Sequence, residues 1–167
     1  TGRAWVFTSA AMVRRDACLG LGGFAVGESR GEDLDLWIRL ALAHAVAVSD
    51  YIGCNYRRVS NSLTGRPVLA PDVAMRTIAQ HLAEAGDLTA CRQVMLRELY
   101  NRIALAHAAD CLLHREIAAA RHFLDLSRAT RTQRRRWRAL DLLVRSAAFG
   151  SIELVQFWRR TRACLMP

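Results

Sequence analysis

Three acids follow a glycine in the stretch Gly31-Glu32-Asp33-Leu34-Asp35-Leu36-Trp37, just ahead of an apolar run with helical spacing. Two kinds of chemistry fit. Carboxylates in a first helical turn interact favourably with the helix dipole, by about 0.3–1 kcal/mol each, which is a purely structural role. A carboxylate fixed at the same place is also a candidate base for a hydroxyl group, a poor nucleophile until a positioned acceptor takes its proton. A third reading, metal binding by Asp33-Leu34-Asp35, fails on geometry. Residues two apart on a helix of about 3.6 residues per turn point about 200° from each other and do not close on one ion.

The elements that hold this cluster are read from spacing and composition. Residues 5–13, Trp-Val-Phe-Thr-Ser-Ala-Ala-Met-Val, are short and rich in β-branched and aromatic types, which predicts a buried strand. Arg14 to Leu21 predicts one or two helical turns stopped at Gly22-Gly23, and residues 24–31 a loop. Asp33 is the expected cap of the next helix, with Leu34, Trp37, Ile38 and Ala41 on its buried face. Residues 45–48 and 51–56 predict strand, and Pro67 and Pro71 mark a boundary.

Beyond Pro71 the pattern is helical throughout. Met75, Ile78, Ala79 and Leu82 share one face, and Gly86-Asp87 offers a stop and a fresh cap. Leu88, Cys91, Met95, Leu99, Ile103 and Ala106 recur at intervals of three and four. Further helices are expected at about 116–128, 134–149 and 151–163.

Several spaced pieces agree in order with a known pattern: Thr8-Ser9 followed by Val13-Arg14-Arg15, then Gly22-Gly23-Phe24, Gly31-Glu32-Asp33 opening a helix, and Tyr56-Arg57 before a serine-containing loop. As a set, over roughly residues 4–66, they resemble the second half of a family 2 glycosyltransferase. The resemblance implies an α/β fragment, the acceptor-side half of a GT-A domain, over residues 1–66. A linker at 67–71 and an all-α extension at 72–167 would follow, the whole being predominantly helical. It implies inverting transfer of a sugar from a nucleotide sugar to a hydroxyl acceptor, as in cell-surface glycan synthesis. Asp33 would be the base, with Glu32, Trp37, Thr8 and Ser9 lining the acceptor site.

Arg57 and Arg58 would face the leaving diphosphate, since guanidinium groups suit phosphate oxygens. Where many members carry a histidine two positions after Tyr-Arg, this chain has Val59, so no metal ligand is expected here. The divalent metal, Mg or Mn, and the nucleotide site belong to a half expected upstream of Thr1. The isolated segment is expected to be inactive.

The charge is lopsided. All 24 basic residues are arginine, against 15 acids; residues 1–70 hold 8 arginines and 6 acids, residues 71–167 hold 16 and 9. Arg128, Arg131, Arg134, Arg135, Arg136 and Arg138 surround Trp137, and Arg159, Arg160 and Arg162 follow Phe157-Trp158. Leu140, Leu143, Val144, Ala147 and Ala148 form an apolar stripe between these basic ends. An anionic membrane surface fits this better than nucleic acid, for which no signature is present, and a solvated charged face is the plain alternative. A non-catalytic helical module for a membrane surface or a protein partner is therefore the competing function. Five widely spaced cysteines without a C-x-x-C pair suggest free thiols in a reducing compartment. No secretory leader and no spanning run of about 18 apolar residues are apparent, so the expectation is a cytoplasmic protein, peripheral at the inner membrane face.

Overall fold

The computed structural model describes residues 6–49, 51, 53–55, 66–84, 88–127 and 133–148. Among them are a 3-10 turn, Thr8–Ala10, and six helices: α1 (Arg15–Gly20), α2 (Glu32–Ala43), α3 (Val73–Ala83), α4 (Ala90–Leu113), α5 (Ile117–Leu126) and α6 (Arg134–Ala148).

The expected α/β fragment is overturned: the described residues contain no strand. Of the segment expected as a buried strand, Trp5 lies outside the described residues and the rest turns over Thr8–Ala10 between extended Phe7 and Ala11, with Ala10 N–H donating to the Phe7 carbonyl at 2.9 Å. Val6, Phe7, Met12 and Val13 are all exposed. β-propensity expresses itself only where a neighbouring strand pairs the backbone and a packed face buries the branched side chains. Residues 45–48 have neither, and Val46, Val48 and Tyr51 stand in solvent. Residues 52 and 56 lie outside the described residues.

The helical expectations hold in outline and shift in register. α1 ends as its glycines demand. Gly22 takes φ +81, its N–H bonds to the Leu19 carbonyl, and the Gly23 N–H reaches back to Cys18, a paired closure that satisfies the last carbonyls. α2 begins at Glu32 after Gly31, whose φ of +80 puts it in the left-handed region; Asp33 is inside the helix and not its cap. The buried face of α2 is Asp35, Leu36, Ile38 and Leu40, with Trp37 half-buried and Ala41 exposed. On α3, Met75 and Ile78 are buried as their spacing predicts, Ala74 replaces Ala79, and the cap is Asp72, which accepts from Met75 N at 2.9 Å. Gly86-Asp87 lies outside the described residues, and α4 is capped by Thr89.

α4 and α5 form the centre of the fold. Ala104, Ala108 and Ala109 are buried and small, so α5 comes close and seats Phe123, Ala120 and Leu124. The chain doubles back through His114-Arg115-Glu116, with Arg115 at φ 65 and Glu116 N–H bonded to the Cys111 carbonyl at 2.9 Å. Cys91 and Met95, expected on the buried face of α4, are exposed, whereas Leu96, Ile103 and Leu112 are buried. α6 lays Leu140 and Val144 into the same core, with Leu143 and Trp137 packed at its edge. The part of the stripe expected to touch a membrane that Leu140, Leu143 and Val144 form is thus an internal packing face, while the side chains of Ala147 and Ala148 lie outside the described residues. The helix expected at 151–163 lies outside the described residues. Ile38 of α2 belongs to the same apolar cluster as α3 to α6.

Candidate functional site

The start of α2 is positioned from two sides. On one side, Asp35 is 3% exposed and its carboxylate accepts from Arg39 Nη2 at 2.6 Å and Nε at 3.1 Å, and from the Thr77 hydroxyl of α3. Arg39, one turn further along α2, donates in turn to the carbonyls of Leu21 and Gly23, the latter at 2.7 Å. One buried ion pair therefore ties α2 to α3 and to the end of α1. Breaking such a pair leaves an uncompensated charge, which makes the arrangement rigid. On the other side, Gly31 packs directly on the Asp72 side chain; a Cβ built on Gly31 would lie 2.9 Å from Asp72 Cγ. Asp72 caps α3 and faces His107 Nε2 of α4 at 3.3 Å.

Held this way, the N-terminal turn of α2 brings together residues far apart in sequence. Thr8 Oγ1 donates to Asp33 Oδ2 at 3.4 Å across 25 residues, and Leu34 N–H donates to Asp33 Oδ1 at 2.7 Å. Thr8 is exposed and Asp33 partly so; the group opens to solvent at the Thr8–Ala10 turn. Ser9 lies in that turn, exposed, and Glu32 is the first residue of α2. Trp37 follows Asp33 by one turn and meets Phe24 edge-on, with ring centroids 6.3 Å apart at 81°. Its indole Nε1 is buried and has no hydrogen-bond partner among the described residues. Arg57 and Arg58 lie outside the described residues.

The two aspartates of Asp33-Leu34-Asp35 have separate partners: Thr8 and a backbone N–H for Asp33, Arg39 and Thr77 for Asp35. Among the described residues no group of three His, Cys, Asp or Glu side chains could hold a metal ion. Arg39, Thr77 and Asp72 are the positioning residues that motif reading missed. The first carried a signal, since Asp35 and Arg39 stand at i,i+4. Thr77 and Asp72 carried none, because only the packing of α3 on α2 brings them in.

Comparison of the chain with protein-family models, curated proteins and solved structures found no match. Its chemistry is therefore to be read from these side chains. Among the described residues, no helix is long and apolar enough to cross a membrane.

Proposed function

We propose that the chain is the acceptor-side portion of an inverting sugar transferase and that Asp33 is its base. In this reading the acceptor hydroxyl gives its proton to Asp33 as its oxygen attacks the anomeric carbon of a nucleotide sugar. The bond from that carbon to the diphosphate breaks, and the nucleotide diphosphate leaves from the opposite face. The observation that carries the reading is the Thr8–Asp33 contact at 3.4 Å. It joins two pieces of the motif set at one solvent-accessible spot, while the neighbouring acid, Asp35, is fully engaged in holding the helix. A base must be positioned yet reachable, and Asp33 is both. The Thr8 hydroxyl would orient the carboxylate, and the Trp37–Phe24 pair would offer an apolar wall beside it to the C–H face of a sugar.

The test is Asp33→Asn in the native protein, assayed for sugar transfer from nucleotide sugars to hydroxyl acceptors. Loss of a general base lowers kcat by about 10²–10⁴-fold. The circular dichroism spectrum should be unchanged, because Asp33 lies outside the core and asparagine can still accept from the Leu34 N–H. A rate within about tenfold of the parent would remove Asp33 from the chemistry.

A further inference from the structure

The orientation of α6 is fixed by its buried side. Leu140 and Val144 sit in the core, and the Trp137 indole N–H donates to the Leu124 carbonyl of α5 at 3.3 Å. What remains outward is rich in arginine. Arg134, Arg138 and Arg145 are exposed and, at 100° per residue, fall within about 40° of each other over about 16 Å of helix. Arg135 and Leu142, both exposed, lie beside them within about 100°. The one acid of α6, Asp141, is largely buried and is taken up by Arg145 at 2.8 Å and Arg121 at 3.3 Å. The outward face therefore presents the guanidinium groups of Arg134, Arg135 and Arg138, with Leu142 68% exposed among them and Arg145 tied to Asp141 at its edge.

We propose that this face of α6 docks the protein on an anionic lipid bilayer, lying flat with the arginines on headgroup phosphates and Leu142 in the headgroup–acyl boundary. Charge complementarity selects an anionic partner. The exposed leucine inside the arginine stripe selects a bilayer, since a phosphate backbone offers it no apolar contact whereas an interface does. Long arginine stems reach phosphates while their methylenes stay against apolar surface. This surface is independent of the Asp33 group. It also differs from the stripe of Leu140, Leu143 and Val144, which the core occupies.

The experiment is co-sedimentation of the full chain with phosphatidylserine-rich and with pure phosphatidylcholine vesicles, at low and physiological salt, with duplex DNA as the competing polyanion. Salt-sensitive binding to the anionic vesicles alone is expected. Each arginine near such a surface strengthens partitioning about fivefold, so Arg134→Gln with Arg138→Gln should weaken it about 30-fold. Arg134→Lys with Arg138→Lys, which keeps the charge, should bind within about threefold of the parent. A Leu142→Trp variant should shift its emission to the blue on anionic vesicles and not on DNA. No binding to anionic vesicles, equal binding to neutral ones, a glutamine pair that binds like the parent while retaining its helical spectrum, or DNA binding that outcompetes vesicles would each overturn the proposal. If the glutamine pair fails to fold, the Leu142→Trp emission decides: an unshifted spectrum on anionic vesicles overturns it.

Discussion

Replacing Gly31 by alanine tests how the acidic turn is held. Two costs follow from the geometry. The first is conformational: at φ +80 an L residue is disfavoured by about 1–2 kcal/mol. The second is a collision, since the new Cβ would lie 2.9 Å from Asp72 Cγ and 3.1 Å from Oδ2. The Asp72 side chain is 9% exposed and already committed to Met75 N and His107, so it can yield only by loosening the cap of α3, worth about 1 kcal/mol. Alanine recovers about 0.5 kcal/mol by narrowing the unfolded ensemble. The net expected loss is about 2 kcal/mol. Gly22→Ala is the internal control, because its φ of +81 is similar and nothing stands within 4 Å of its Cβ position. It should cost about 1 kcal/mol less. Urea unfolding followed at 222 nm gives both values. A double-mutant cycle with Asp72→Ala should show the excess at Gly31 shrinking by about 1 kcal/mol. Equal costs at Gly22 and Gly31, or strict additivity with Asp72→Ala, would refute the claim that the Gly31–Asp72 contact locks α2 onto α3.

The remaining predictions concern single groups. Asp35→Asn should destabilise the fold by about 3 kcal/mol in urea unfolding, because Arg39 keeps its two carbonyl partners and loses its counter-charge. Asp33→Asn, two residues away, should cost no more than about 1 kcal/mol, the size of its helix-dipole contribution; the contrast separates the buried acid from the surface one. Burial pushes the Cys111 thiol up to about 11, helped by Asp110 and Glu116. Folded Cys111 therefore stays protonated where the unfolded thiol, at 9.0, ionises: the stabilisation is complete below pH 9 and is lost as the pH rises towards about 11. Denaturation midpoints measured across that window should fall, and less steeply in Cys111→Ala. At pH 8 a thiol reagent should label exposed Cys91 and spare Cys111 in the folded protein.

How far the sequence spoke can be followed through particular residues. The glycine pair 22–23 marked the end of α1 correctly, because a helix closure that needs positive φ is a local demand. Met75 and Ile78 were legible as core, and α5 and α6 fell close to their expected spans, since 3.6-residue periodicity is also local. Residues 5–13 and 45–48 misled because a strand is not a local structure. Their branched side chains state a preference that only a paired neighbour can realise, and none is provided among the described residues. Leu140, Leu143 and Val144 misled differently: periodicity shows that a helix has an apolar face, and cannot say whether protein or lipid covers it.

By itself the sequence determined that this is a helix-dominated, arginine-charged chain with an acidic cluster opening one amphipathic helix. Tertiary structure decided which acid is buried. Asp33 and Asp35 are the same residue type two positions apart, and only the Gly-Glu-Asp resemblance singled out Asp33. The helix's own rotation sends Asp35 inward to Arg39 and Thr77 and leaves Asp33 beside Thr8 at the surface. That assignment depends on where α3 and the Thr8–Ala10 turn pack against α2, a long-range arrangement that no window of neighbouring residues encodes.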